Sequence, residues 1–443
     1  MPRDSTVWTR ATIALLAAVF AVSVYRAATL SITADEALAF DRCIRPPLRD
    51  VIPHFDPSNH VLNTLLVKRS VALFRLSEFS FRLPSVLFGG LLLFAVYRLG
   101  RRAVGPGPLL PATVACAVLN PLVMDHMALA RGYGMALACL FLASDLMLGY
   151  LESPLGDTRR NLNLAGMCIG LSVSASVAFV FPCISLALTF LLVAASRGSL
   201  GFVSFVEQLA APATTTAFIL LIIPFSSAHL AQFTYGASTL SGSLPALLAS
   251  ALPAGAAIWY VIRREKGSAQ ALVILIGGTL LLTAAALVSA HRLWAIPYPM
   301  NRTGLYLAPL ACLGSFGLAS LLPGRIFRFA ALAVAALVVI LYIGEFRMGV
   351  YREWPQDSGV KSVVRILRRE AFGRQVRIAA SADLDPVVSF YRARYRLSNW
   401  EPIRHQPVNG AFDYYVLDAH DAGIVEERHL QVLYQDPGLI LAR

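Results

Sequence analysis

The chain has 443 residues, of which 57% are hydrophobic and only 14% charged, and its formal net charge is +12. A soluble domain carries about a quarter charged residues, and half that charge cannot cover a water-facing surface of this size, so lipid is the solvent for most of the chain. The positive balance does not point to nucleic acid, because the arginines lie mostly between apolar runs, where they orient helices and meet anionic lipid head groups.

A bilayer core takes about twenty apolar residues per helix. Runs that meet this need are predicted at 11–31, 84–100, 108–124, 133–150, 162–177, 178–196, 209–226, 243–262, 270–290, 304–322 and 329–344. The expected fold class is therefore an α-helical polytopic membrane protein with about eleven transmembrane helices. The first run follows Arg3 and Arg10 and exceeds the roughly 7–15 apolar residues of a signal peptide, which favours a retained helix over a signal cleaved before Asp35. Arg98, Arg101 and Arg102, then Arg159 and Arg160, Arg197, Arg263, Arg264 and Lys266, and Arg325 and Arg328 sit at span ends. A cytoplasmic N-terminus puts all of them on the cytoplasmic side, as the positive-inside rule asks, and puts residues 346–443 outside.

Residues 60–76 resist this scheme, because Lys68 and Arg69 fall mid-segment, where a charge in lipid is expensive. The segment reads as an amphipathic helix lying on the outer membrane face. The first outer loop then covers 32–83. Beyond 345 the character changes. Strands are predicted at 375–382, 412–417 and 430–434, and helices at 359–370 and 385–395, which together make a small α/β domain outside the cytoplasm. The predicted organisation is a membrane domain over 1–345 and a soluble domain over 346–443. Five of the six cysteines lie in apolar runs without CxxC spacing and read as small core residues.

Ionisable groups at the outer ends of spans carry the chemical information. Asp35 and Glu36 follow the first span. Thr33-Ala34-Asp35-Glu36 is equally a capping box, so a structural and a catalytic reading both stand. In the same loop His54, Asp56 and His60 are candidate ligands for a divalent metal ion, with ordinary loop polars as the alternative, since their spacing matches no strong metal signature. Between the third and fourth spans come Asp125-His126 and Arg131-Gly132-Tyr133. A third cluster holds His291, Arg292, Trp294, Tyr298, Asn301 and Arg302. Trp and Tyr there are interface anchors, and Asn301 opens an Asn-Arg-Thr sequon set close against a span. Arginine holds phosphate through paired charge-assisted bonds, and a nearby carboxylate can take a proton from an attacking hydroxyl. The three clusters suit a lipid-phosphate substrate at one membrane face.

In the order and spacing of these pieces the sequence resembles the GT-C membrane glycosyltransferases, the group that includes the protein O-mannosyltransferases and the aminoarabinose transferase of lipid A. The resemblance runs through roughly the first third. It takes in Ala34-Asp35-Glu36-Ala37, Pro46-Pro47, Asn59-His60, Ser77-Glu78, Arg82-Leu83-Pro84-Ser85, Tyr97 to Arg102, and Ala130-Arg131-Gly132-Tyr133-Gly134. It implies inverting transfer of a sugar from a polyprenyl-phosphate donor to a glycan, lipid or protein acceptor at the outer face of a bacterial inner membrane. Asp35 would then be the general base, with Glu36 supporting it. Arg131 and Tyr133 would meet the donor phosphate and the site wall, with Lys68, His60 and Arg302 as further contacts. Where relatives carry a glutamate two residues before the arginine, this chain has Leu129, and Asp125, about one turn earlier, is its substitute. The alternatives are a transporter or flippase for a lipid-linked substrate, and a catalytically inactive scaffold of the same fold.

Overall fold

The computed structural model describes residues 2–51, 59–152, 158–220, 236–237, 267–403, 408–436 and 438–443. Among the described residues, eight helices are long and apolar enough to cross a membrane: Ser5–Thr29, Glu78–Val104, Tyr133–Glu152, Val177–Ser196, Phe202–Leu220, Ser268–Trp294, Asn301–Leu321 and Arg325–Glu345. A ninth follows if Leu109–Val118 and Pro121–Ala128, which meet at 65°, form one broken span. Of the other predicted spans, 162–177 is helical as Thr158–Ala175 but carries Arg159, Arg160, Asn161 and Asn163. The span expected at 243–262, with Arg263, Arg264 and Lys266, lies outside the described residues. Val61–Phe74 forms a helix of 14 residues, too short for the bilayer core, in keeping with the reading of 60–76 as a non-spanning helix.

The chain divides into two compact units. One comprises Met1–Val24, His60–Asn63 and Ser85–Phe346; the other comprises Tyr25–Asn59, Thr64–Pro84 and Arg347–Arg443.

The first unit is a helix bundle around α1 (Tyr133–Glu152), which is buried along most of its length. At its periphery α2 (Arg325–Glu345) leaves Ile326, Phe329, Leu337, Ile340 and Ile343 exposed. A row of this kind is tolerated where lipid, not water, covers it. Close helix approach depends on small residues. In Thr158–Ala175, a Cβ at Gly166 would stand 2.4 Å from the Leu209 carbonyl oxygen, and one at Gly170 would stand 2.6 Å from that of Ala213.

The arginine-bearing span ends gather at one end of this bundle. Arg98 donates to Asp145 at 2.6 Å and Arg102 to the other oxygen of Asp145 at 2.8 Å. Arg102 also pairs with Glu152, which accepts from Ser268. Tyr150 donates to the Ser199 carbonyl at 2.6 Å. A pocket of about 750 Å³ at this end is lined by Arg101, Arg102, Glu152, Ser268 and Arg328. Because α1 has 20 residues, its Tyr133 end lies about 30 Å away, the thickness of a bilayer core.

The second unit has a four-stranded sheet. Strand β1 (Ile378–Ala380) runs parallel to β2 (Tyr414–Leu417), and the helix Asp385–Arg394 supplies the crossover. Strand β4 (Leu439–Ala442) pairs antiparallel with β2 and, on its other side, with β3 (Val432–Asp436). The three predicted strands and two predicted helices are present; β4 went unread in the sequence and occupies an interior position. The first loop folds with this domain through Phe40, Phe81 and Phe390, whose rings meet edge to face at 5.3–6.3 Å.

Candidate active site

Asp35 sits half-buried on α3 (Ala34–Ala39) in the second unit. The helix starts there because Thr33 is its cap. The Thr33 hydroxyl accepts from the Glu36 amide at 3.3 Å, and the Glu36 carboxylate accepts from the Thr33 amide at 3.0 Å. The capping box read in the sequence is thus real, and it leaves Asp35 on the turn that Glu36 secures. Glu36 is fully buried and meets Arg82 in a two-point pair, Nε to Oε1 at 2.9 Å and Nη2 to Oε2 at 2.6 Å. The same guanidinium donates to the carbonyls of Leu30 at 2.9 Å and Ser31 at 2.6 Å. Pro84 cannot donate to the Ser80 carbonyl in the usual helical manner, and that oxygen accepts from the Ser70 hydroxyl at 2.5 Å instead. Arg82 is thereby clamped between the end of the first span and the acidic motif.

A second knot fastens the C-terminal domain to this motif. Glu78, buried, pairs with Lys361 at 3.2 Å and with Arg394, and accepts from the Tyr391 hydroxyl at 3.2 Å. Tyr391 in turn accepts from the Ile32 amide at 3.2 Å. Asp357 accepts from the Ala34 amide at 2.6 Å. Lys68 donates to the carbonyls of Ile44 and Pro46, so its ammonium braces the first loop.

In the first unit, His60, His126, Arg131, Tyr133 and Arg302 come together at the end of α1 away from the arginine-bearing span ends. His60 and His126 flank the Tyr133 ring edge to face, at 4.8 Å and 5.2 Å between centroids. Asn63 donates to the Ala130 carbonyl at 2.9 Å and His60 Nδ1 lies 2.9 Å from the Ala175 carbonyl. Burial, with the charges of Arg131, Arg302 and His126, pushes the His60 imidazole well below its ordinary range, so it is neutral at pH 7. Its Nδ1 then donates to Ala175, leaving Nε2 as a buried acceptor. Asp125 is buried on Pro121–Ala128, beside His126. His54 and Asp56 lie outside the described residues, and among the described residues no three His, Cys, Asp or Glu side chains converge as a metal site would.

The glycines of Arg131-Gly132-Tyr133-Gly134 are required by geometry. Gly132 has φ +67°, and a Cβ there would stand 2.2 Å from the Ala175 carbonyl oxygen. At Gly134 the clash would be 2.1 Å, with the His126 carbonyl oxygen. Gly134→Ala is expected to destabilise by about 1–3 kcal/mol, read as a lower unfolding temperature in detergent. A wild-type unfolding temperature would mean that this backbone approach is looser.

Asp357, Asn63 and the Lys361–Glu78–Arg394 knot carry no signal in the sequence. Ser77-Glu78 and Arg82 were visible as motif pieces, but their partners lie far off in the chain.

The bundle of apolar helices makes this an integral membrane protein, and its fold resembles that of a solved membrane protein over nearly the whole chain. Among solved structures, the chain is similar to ArnT, the aminoarabinose transferase, from Cupriavidus metallidurans bound to undecaprenyl phosphate: TM-score 0.52, 13% identity, 99% of this chain and 98% of that one. The apo form of ArnT gives TM-score 0.46 at 14% identity, over 99% and 98% of the two chains. Arabinosyltransferase EmbB from Mycobacterium smegmatis gives 0.42 at 13%, over 86% of this chain and 42% of that longer one. No protein-family model matches the sequence, and no curated protein matches it significantly. At such identities the likeness is one of fold.

Proposed function

We propose that the protein is a glycosyltransferase that moves a sugar from a polyprenyl-phosphate-linked donor to a glycan, lipid or protein acceptor. The reaction takes place at the outer face of a bacterial inner membrane. The observation that carries this reading is the fold shared over the whole chain with a transferase solved holding undecaprenyl phosphate. The acidic motif after the first span and the buried cationic group around Arg131 supply the residues that such a reaction needs.

Asp35 takes the proton from the acceptor hydroxyl. The acceptor oxygen attacks the anomeric carbon from the face opposite the phosphate, and the bond between that carbon and the phosphate oxygen breaks. Polyprenyl phosphate leaves with the bonding electrons, and the configuration inverts. Arg131 and Arg302 stabilise the charge that develops on the phosphate. Tyr133 and neutral His60 form the wall beside it, and Asp125, about one turn before Leu129, substitutes for the glutamate that relatives carry at the Leu129 position. Glu36 acts through Arg82 and Thr33, holding the helix that bears Asp35. Lys68 fixes the loop that follows. A divalent metal ion, if the enzyme uses one, would draw on His54, Asp56 and His60.

The 65° break between Leu109–Val118 and Pro121–Ala128 is the one feature that favours the transporter or flippase reading, since broken helices mark transport sites. The ionisable residues, however, lie at helix ends and in the first loop, which suits chemistry at a membrane face.

Radiolabelled polyprenyl-phosphate sugars offered to the purified protein in nanodiscs test the proposal. Transfer of label, or release of polyprenyl phosphate, is the expected result. Arg131→Ala is expected to weaken donor binding roughly tenfold or more, as loss of a charge-assisted contact does. Unchanged donor affinity in that variant would remove Arg131 from the phosphate site.

A further inference from the structure

Asp357 is a buried carboxylate that the proposed reaction does not use. It lies in the turn Pro355–Gly359 of the C-terminal domain and is 2% exposed. Its Oδ2 accepts from the amide of Ala34, the residue before Asp35, at 2.6 Å. Its Oδ1 is buried and has no hydrogen-bond partner among the described residues. We propose that Asp357 is a positioning residue for Asp35, anchoring the Ala34 amide at the start of the helix that bears it. This rests on the reading of Asp35 as the base.

The surrounding charges say why the proton stays on Asp357. Burial, with the nearby carboxylates of Asp35, Glu36 and Asp383, pushes its carboxyl up to about 7, against the opposing pull of the Ala34 amide. Glu36 is neutralised by Arg82, and Asp383 is exposed. From the helix that follows, Lys361 is turned to Glu78 and to the Thr29 carbonyl. On β3, Tyr434 and Asp436 lie against Gly359, and the Tyr434 hydroxyl donates to Asp436. No described cation is thus paired with Asp357. A buried carboxyl beside other carboxylates resists ionisation. Asp357, buried and facing no described cation, therefore keeps its proton up to about pH 7. In that state Oδ2 is the carbonyl that accepts from Ala34, and Oδ1 bears the proton.

An asparagine is a near-isosteric copy of this protonated form, with an acceptor for Ala34 and a donor in place of the hydroxyl. The test measures kcat and KM for polyprenyl phosphate release by the full-length protein in nanodiscs, from about pH 5 to about pH 9. Wild type, Asp357→Asn and Asp357→Ala are compared. Wild-type kcat is expected to fall as pH rises past about 7, and Asp357→Asn to lack that fall. Asp357→Ala is expected to lose roughly 100-fold in kcat at every pH, with donor KM unchanged, because the base is misplaced. An asparagine profile that superimposes on wild type, or an alanine variant with wild-type kcat, overturns the proposal.

A second readout needs no substrate. The folded protein holds this proton up to about pH 7, whereas an unfolded carboxylate releases it near pH 4. The native state therefore binds more protons between these limits, and this group lowers stability progressively as pH rises from about 4 to about 7. Asp357→Asn should abolish that slope, together with the infrared band of a protonated carboxyl at pH 6. If no form of the protein turns over any donor, the transfer reading fails. The band and slope then still decide whether Asp357 holds a proton, and their persistence in Asp357→Asn would refute it.

Discussion

Asp35→Asn is expected to abolish measurable transfer, a loss on the order of 10²–10⁴-fold for removal of a general base. Donor binding and the unfolding temperature should stay as in wild type. The change is nearly isosteric, and the start of the helix is set by Thr33 and Glu36 rather than by Asp35. The comparison of wild type and variant with radiolabelled donor reads both quantities in one preparation. A variant that keeps wild-type turnover takes the base role away from Asp35. A wild type that neither turns over nor binds any donor shifts the balance to the transporter reading, for which the bent helix pair is the structural support.

Arg82→Ala should have the largest effect on stability. It leaves the Glu36 carboxylate, fully buried and otherwise paired at two points, without its counter-charge, and it also leaves the Leu30 and Ser31 carbonyls without a donor. Losing one partner of a buried ion pair costs about 3–5 kcal/mol, which thermal unfolding in detergent would show as a large drop. Replacing both partners by apolar residues of similar size, Arg82→Met with Glu36→Met, should recover much of that loss, because neither charge then needs compensation. Activity should not return in the double variant, since the carboxylate half of the capping box goes with Glu36. A single variant as stable as wild type would show that water reaches this pair.

The parts of the fold legible in the sequence are those governed by local physics. Run length marks spans such as Ser268–Trp294 and Arg325–Glu345, since lipid demands an unbroken apolar stretch whatever the neighbours. Thr33 and Glu36 lie within one helical turn, so their cap is visible in four letters. The C-terminal alternation of helix and strand follows from side-chain period alone. Thr158–Ala175 shows the limit of that logic. It is helical where a span was expected, but polar residues leave its run short of the others, and the helices long and apolar enough number eight or nine among the described residues, which do not include the run expected at 243–262.

The candidate site was legible as residue types and not as a geometry. Arg131 and Gly132 stood out, but their reason lies in the Ala175 carbonyl and His60, which approach from other helices. The resemblance offered Lys68 as a phosphate contact; its ammonium donates to two loop carbonyls. Asp357 carried no signal, because nothing in the pattern around it says that it meets the Ala34 amide.

By itself, then, the sequence determined the solvent of this protein, its helical class, the charged ends of its spans and the small α/β domain, because each depends on neighbours within a turn or a run. Only the tertiary structure decided that the C-terminal domain folds with the first loop, that Arg82 and Glu36 form one buried pair, and that Asp357 reaches the helix bearing Asp35. Such contacts join residues distant along the chain. They are chosen by the burial and pairing of charge in the folded molecule, which no local pattern encodes.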